Sequence, residues 1–169
     1  MRDRGFTLTE LLVAMAIAAL LLTLAAPGLA RQRGAAALRS ASNETMAALQ
    51  LARRIALARG QSVTVCPSVD GSSCGFAGSE WLLFANAPGG VDGRREVADE
   101  LLQRWSLPRG VVVTGTRGYA TFQPRPGAAV TVTFQFCHRA AATALAIVVS
   151  QTGRPRIDRQ VSSAGCTAS

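Results

Sequence analysis

The chain has 169 residues, which suggests one domain plus an extension. All 18 basic residues are arginine and 10 acids oppose them, so the formal net charge is +8, a surplus that favours contact with polyanions such as nucleic acid or acidic lipid. Because the chain has one histidine, no Ser/His/Asp arrangement, no phosphate-cradling glycine loop and no metal-ligand spacing, we expect no enzyme, no cofactor and no metal site.

The amino terminus begins with a short basic leader, residues 1–5. From Phe6 to Ala30 the chain is apolar apart from three threonines and Glu10, and at about 1.5 Å per residue this run is long enough to cross a hydrocarbon core of about 30 Å. An ordinary secretory signal places its cleavage site after the apolar stretch, which is then discarded. Here the charged leader ends at Gly5, before the apolar stretch begins, which favours a retained membrane helix.

Glu10 is the unusual residue of this apolar run. A carboxylate inside a membrane helix costs a few kcal/mol or so unless it finds a partner. Cleavage after Gly5 would create a positive amino group on Phe6 at nearly the same depth, and a neighbouring subunit could offer that amine to Glu10. The alternative is an interfacial glutamate near the membrane surface with no particular partner; the position and the flanking residues favour the pair.

The residues around Gly5 resemble the cleavage and methylation motif of type IV prepilins and type II secretion pseudopilins, in the order Gly5-Phe6-Thr7-Leu8-Thr9-Glu10-Leu11. The resemblance implies cleavage between Gly5 and Phe6 by a prepilin peptidase, N-methylation of Phe6, and a role for Glu10 in registering the subunit during assembly. It also implies a single-pass inner-membrane precursor whose head lies in the periplasm. Other pilins or pseudopilins then become partners in an extracellular pilus or a pseudopilus.

The remaining chain divides into a stem and a head. A helical pattern resumes after Pro27, which should kink the stem, and continues to a stop at Gly60. For the stem residues Arg31, Arg33 and Arg39 we favour contact with lipid headgroups or solvent over a phosphate-binding face. Short β-type runs follow at 62–66, 81–85, 111–114, 119–122, 130–136 and 144–149. These patterns predict an α+β fold of the type IV pilin kind: leader 1–5, helix 6–60 with a transmembrane first half, and a head 61–169 of antiparallel sheets laid against the helix.

Four cysteines lie in the predicted head, behind an export-type segment. An even count in this setting indicates two disulfides formed in an oxidising compartment, and four cysteines allow 3 pairings. We favour Cys66–Cys74, which closes a short loop, and Cys137–Cys166, which ties the tail back to a sheet. Four reduced structural thiols are the alternative.

The tail after the last long strand is basic. Gly153 can adopt the positive φ of a sharp turn, and Pro155 keeps Arg154 extended. Side chains two residues apart on an extended chain project to the same side, so Arg154 and Arg156 are predicted to form a pair of planar forks suited to backbone phosphates. Arg159 adds a third positive group, and the amide of Gln160 could support a phosphate oxygen.

The combined features resemble the GspH/FimT family of minor pilins and pseudopilins, most closely the FimT minor pilins. That resemblance implies DNA binding during natural transformation through a carboxy-terminal Gly-Arg-x-Arg motif, matched here by Gly153, Arg154, Pro155 and Arg156. Arg159 and Gln160 extend the predicted phosphate site by charge and proximity alone. The alternatives are a minor pseudopilin of the type II secretion system, in which the Gly-Arg pair is only a hairpin turn, and a structural minor pilin that does not bind DNA.

Overall fold

The computed structural model describes residues 8–76, 78–125, 128–141, 143–161 and 166. A long helix, α1, spans Leu8–Arg59 and ends where Gly60 takes a φ of +65°. The second half of α1 buries a stripe of small side chains and leaves its other face to solvent. The most deeply buried residues of this stripe are Leu38, Ala41, Ser42, Thr45, Ala48, Leu49, Ala52 and Ala56.

The stem is bent. Its parts Leu8–Thr23 and Gly28–Arg59 meet at 42°, and Pro27, which cannot donate the helical hydrogen bond, lies between them. Within the described residues, no single straight helix has both the length and the apolar content of a membrane span, whereas this bent pair has them together.

Eight strands follow α1 within the described part of the chain. They are β1 Val63–Ser68, β2 Glu80–Ala85, β3 Glu100–Ser106, β4 Val111–Gly115, β5 Ala120–Phe122, β6 Val132–His138, β7 Ala144–Val149 and β8 Pro155–Val161. They form two four-stranded sheets in the orders β3-β2-β1-β5 and β4-β6-β7-β8. Every pairing is antiparallel. The predicted α+β architecture, a helix packed on antiparallel sheets, is therefore confirmed.

Strand β3 was not predicted. Its sequence, Glu100–Ser106, contains no β-branched residue and no clean alternation, so it carries none of the signals of an isolated strand. It forms because β2 offers it a free edge, and it contains a bulge at Leu102, which has no partner between Leu83 and Phe84 of β2. A salt bridge of 2.7 Å between Arg59 and Glu100 ties the start of β3 to the end of α1.

The core lies between the two sheets and the buried stripe of α1. Trp81 of β2 is fully buried and joins both sheets: its ring lies 5.6 Å from that of Trp105 in the first sheet and 5.1 Å from that of Phe134 in the second. Where α1 passes the end of β6, a Cβ on Gly34 would lie 2.8 Å from His138 Nδ1. A glycine is therefore needed for α1 to approach the end of β6 this closely.

The structure joins Cys66 to Cys74 and Cys137 to Cys166, the two pairings that the sequence favoured. The first closes the hairpin loop between β1 and β2. In that loop the amides of Ser72 and Ser73 donate hydrogen bonds of 2.8 and 2.7 Å to Asp70 Oδ1, and these bonds hold the pKa of the carboxyl well below its usual range. The second disulfide links β6 to the segment that follows β8.

Candidate nucleic-acid interface

A tight turn connects β7 to β8 and sets the position of the basic tail. Gly153 has a φ of +69°, as the sequence predicted, and its amide donates a 2.9 Å hydrogen bond to the Ser150 carbonyl. A side chain at this position would be strained by the backbone conformation alone. A Cβ there would also contact Phe122 Cδ1 at 3.5 Å and Arg53 Nε at 3.6 Å, so the turn rests directly on α1.

Strand β8 is the outer strand of its sheet, and its pairing with β7 holds the predicted arginines in place. Val149 is opposite Pro155, and Val148 is opposite Arg156. Arg154, which precedes the strand, and Arg156 are both exposed. Further along, the register shifts between Ala144 and Ala146, so β8 contains a bulge before Val161.

The turn and strand β8 place two of the three arginines, Arg154 and Arg159, in two grooves beside α1. Arg154 and Pro155 line a groove of about 450 Å³ whose other wall is Gln50, Arg53 and Arg54 of α1. Ile157 and Arg159 line a second groove of about 380 Å³.

The opposite wall of that second groove is formed by Arg39, Ser42 and Asn43 of α1. Arg156 is exposed and belongs to the lining of neither groove. Arg154 and Arg159 therefore face arginines of the helix, whereas Arg156, although exposed on the same strand as Arg159, shares neither groove.

The other predicted site residues are placed as follows. The backbone of Gln160 lies in β8, while its side chain is outside the described residues. Glu10 lies in the first turn of α1 and is exposed, whereas Gly5, Phe6 and the rest of the leader are outside the described residues.

Three arginines of α1 complete the basic surface, and the sequence did not assign them to it. Arg53 and Arg54 were not connected with the tail, and Arg39 was assigned to lipid or solvent. A sequence signal did exist, because arginines 39 and 54 are both on the polar face of an otherwise alanine-rich helix. The packing of β8 beside that face cannot be read from any local pattern, because it depends on the order of strands in the second sheet.

The guanidinium groups of this surface are free of acidic partners within the described chain. The ion pairs there join Arg59 to Glu100 and Arg104 to Glu80, and none involves an arginine of the two grooves. Of the residues that the structure describes, no acidic side chain lines either groove. Unpaired, exposed guanidinium forks can bind phosphate oxygens in bidentate fashion. Across the described residues, no group of three or more His, Cys, Asp or Glu side chains is placed to hold a metal ion.

A helix laid on two antiparallel sheets, behind a methylation motif, defines the class of type IV pilin-like subunits. The model of the prokaryotic N-terminal methylation motif matches residues 1–26. The model of the Type II transport protein GspH family matches residues 41–153, which is most of the chain. The chain therefore belongs to the GspH family of minor pilins and pseudopilins. The match ends at the turn glycine, so the arginines of β8 are features of this chain beyond the matched segment.

Solved structures with the same fold come from both branches of this class. The type IV minor pilin FimU of Pseudomonas aeruginosa PAO1 is 21% identical with a TM-score of 0.54, and the match covers 72% of this chain and 87% of FimU. The minor pseudopilin EpsH of the Vibrio cholerae type 2 secretion system is 13% identical with a TM-score of 0.53, covering 72% of this chain and 96% of EpsH. No match was found among curated protein sequences.

Proposed function

We propose that this protein is a minor pilin of a type IV pilus that binds extracellular DNA for uptake in natural transformation. The observation that carries the proposal is the row of exposed arginines, Arg154, Arg156 and Arg159, on and just before an edge strand behind a fixed turn. None of them is in an ion pair within the described residues.

Recognition of this kind is directed at the phosphate backbone and is independent of base sequence. Phosphate contacts position a protein on DNA without reading bases, and arginine forks match the geometry of phosphate oxygens. The net charge of +8 adds long-range attraction that falls as salt rises. Three contacts, from Arg154, Arg156 and Arg159, correspond to a slope of roughly −3 for log affinity against log salt on duplex DNA.

Replacing Arg154 and Arg156 with glutamine should remove most of this binding. Each phosphate contact contributes about −0.9 to the salt slope, so two contacts are worth about 60-fold in affinity at about 0.1 M salt relative to 1 M. The measurement is fluorescence anisotropy of labelled duplex DNA with the full chain in a neutral detergent, across a salt series.

The matched control is the double variant R94Q/R109Q. It removes the same charge from two exposed arginines that lie outside both grooves, and it should bind nearly as the parent does. A parent chain that ignores duplex DNA in dilute buffer, or an R154Q/R156Q variant with parental affinity, would refute the proposal.

The same proposal includes processing of the amino terminus and insertion in the inner membrane. A prepilin peptidase cuts between Gly5 and Phe6, Phe6 is N-methylated, and the apolar first half of α1 then anchors the subunit in lipid with its head in the periplasm. During assembly the carboxylate of Glu10 pairs with the amino group of a neighbouring pilin, which neutralises a charge that is costly in hydrocarbon.

The processing step predicts a defined mature amino terminus. Mass spectrometry of the chain purified from a host with a prepilin peptidase should give a protein that begins at Phe6 and carries one added methyl group. A host without the peptidase should give the full precursor. Ala25 and Ala26 are small residues at the end of the apolar run that could mimic a conventional cleavage site. A mature chain that starts after Ala26 would assign the apolar segment to an ordinary secretory signal.

A second candidate function is that of a minor pseudopilin in a type II secretion system, which the GspH family match and the fold shared with EpsH support. Such a subunit contacts other pseudopilins and needs no DNA. It predicts that deletion impairs protein secretion while DNA uptake is unaffected. A structural minor pilin would instead impair pilus assembly with no DNA binding by the isolated protein.

A further inference from the structure

Arg154 and Arg159 of the tail face a second set of arginines on the helix. The two grooves described above follow one another along the line where β8 packs beside α1, and we call this line the α1–β8 seam. We call the end nearer the carboxyl terminus of α1 the upper end, and it is bordered by Arg53, Arg54 and Arg154. The other, lower end is bordered by Arg39 and Arg159. Both walls of the seam are therefore basic at both ends.

The polar lining of the seam suits an anion. Besides the arginines, its polar side chains are the neutral Gln50, Ser42 and Asn43. The guanidinium groups gathered at each end of the seam have no ion pair within the described residues to offset their charge. An extended polyanion that lies along the seam would neutralise both ends at once.

The length of the seam matches a short stretch of duplex. Fourteen positions of α1 separate Arg39 from Arg53. At about 1.5 Å per residue they are about 21 Å apart along the helix axis. One DNA strand rises about 3.4 Å per nucleotide along the duplex axis, so this distance corresponds to about six base pairs. The two ends of the seam can thus contact separate phosphates of the same duplex.

We propose that the α1–β8 seam is the DNA-binding surface, and that Arg39, Arg53 and Arg54 of the stem helix supply phosphate contacts equal in number to those of the tail. This inference rests on the proposed function and adds to it the helical half of the site. It assigns the surface to double-stranded DNA, because among the described residues no aromatic side chain lines either groove to stack on unpaired bases.

The first test is the salt slope of duplex binding by the full chain in neutral detergent. Six phosphate contacts, three from the tail and three from α1, predict a slope of roughly −5, whereas the tail alone predicts roughly −3. The variant R53Q/R54Q should reduce the magnitude of the slope by roughly 2 and the affinity by about 60-fold at about 0.1 M salt. The variant R39Q should lose about 8-fold under the same conditions.

A second variant distinguishes the loss of positive charge at Arg53 and Arg54 from the loss of their packing contacts. Arg53 is half-buried against the β7–β8 turn, so its replacement also removes contacts. The variant R53K/R54K keeps the charge and should keep most of the salt slope, and the melting temperatures of both variants are compared with the parent. An R53Q/R54Q chain that melts as the parent does and binds about 60-fold more weakly supports the seam.

The outcomes of these experiments distinguish a failure of the seam from a failure of the proposed DNA-binding function. If R154Q/R156Q loses binding while R53Q/R54Q and R39Q bind as the parent does, the tail alone binds DNA and the seam is refuted. If the parent chain does not bind duplex DNA, the proposed function fails and the seam fails with it. If R39Q keeps full DNA affinity but no longer binds phosphatidylglycerol vesicles, the lower end of the seam contacts lipid, and the inference is overturned.

Discussion

Replacing Trp81 with alanine is expected to lower the free energy of unfolding by about 3–5 kcal/mol, the usual cost of removing a large aromatic side chain from a core. Trp81 is fully buried and contacts rings from both sheets, Trp105 in the first and Phe134 and Phe136 in the second. Its loss would leave a cavity between the sheets. Urea unfolding, followed by the fluorescence of Trp105, gives the measurement.

Phenylalanine at position 81 is the matched control for that variant. It keeps an aromatic ring in the cavity and removes the indole N–H, which is buried without a hydrogen-bond partner in the described part of the chain. Because an unsatisfied buried donor carries a desolvation cost, W81F should lose much less stability than W81A. A W81A loss within about 0.5 kcal/mol, typical of a surface position, would contradict the role assigned to this side chain.

Replacing Cys137 and Cys166 with alanine is expected to cost between about 3 and 4 kcal/mol. This disulfide closes a loop with a sequence separation of 29, and the chain-entropy relation for a loop of that length gives roughly this value at 25 °C. The loop contains β7 and β8, and therefore every arginine of the tail. We expect the variant to bind DNA more weakly as well, since the strand that presents the arginines is held less firmly.

The other disulfide provides the control. Cys66–Cys74 has a sequence separation of 8, for which the same relation gives about 2.5 kcal/mol. It joins β1 to the β1–β2 loop, and neither cysteine lines a groove of the α1–β8 seam, so C66A/C74A should lose stability while keeping the DNA affinity of the parent. Equal losses of DNA affinity in both variants would mean that the effect follows from general destabilisation. Urea unfolding and anisotropy on the same preparations separate the two readouts.

Local features of the fold could be read from the sequence. The stop of α1 at Gly60, the positive φ of Gly153 and the alternating strands each depend on a few neighbouring residues. Strand β3 could not be predicted, because Glu100–Ser106 becomes a strand only through the edge that β2 presents to it. Tertiary context, rather than propensity, decides its conformation.

The candidate site shows the same division between local and distant information. That Arg154 and Arg156 are exposed follows from the turn and the extended chain. That Arg154 lies opposite Arg53 follows from packing between segments a hundred positions apart. Arg159 lies in the bulged part of β8 and shares a groove with Arg39, and no sequence periodicity predicts that bulge. The tail was therefore predictable as a basic, extended segment, but neither its pairing as strand β8 nor its alignment with the helix was.

The placement of β8 at the border of its sheet has a consequence for solubility. A border strand exposes unpaired backbone groups that can recruit a strand from another molecule. β8 starts with Pro155, which has no N–H to donate, and it displays Arg156 and Arg159. If two β8 edge strands paired, their exposed arginines would come close together and repel each other. We therefore expect these features to disfavour edge-to-edge pairing of neighbouring heads into cross-β aggregates, whether or not DNA is present.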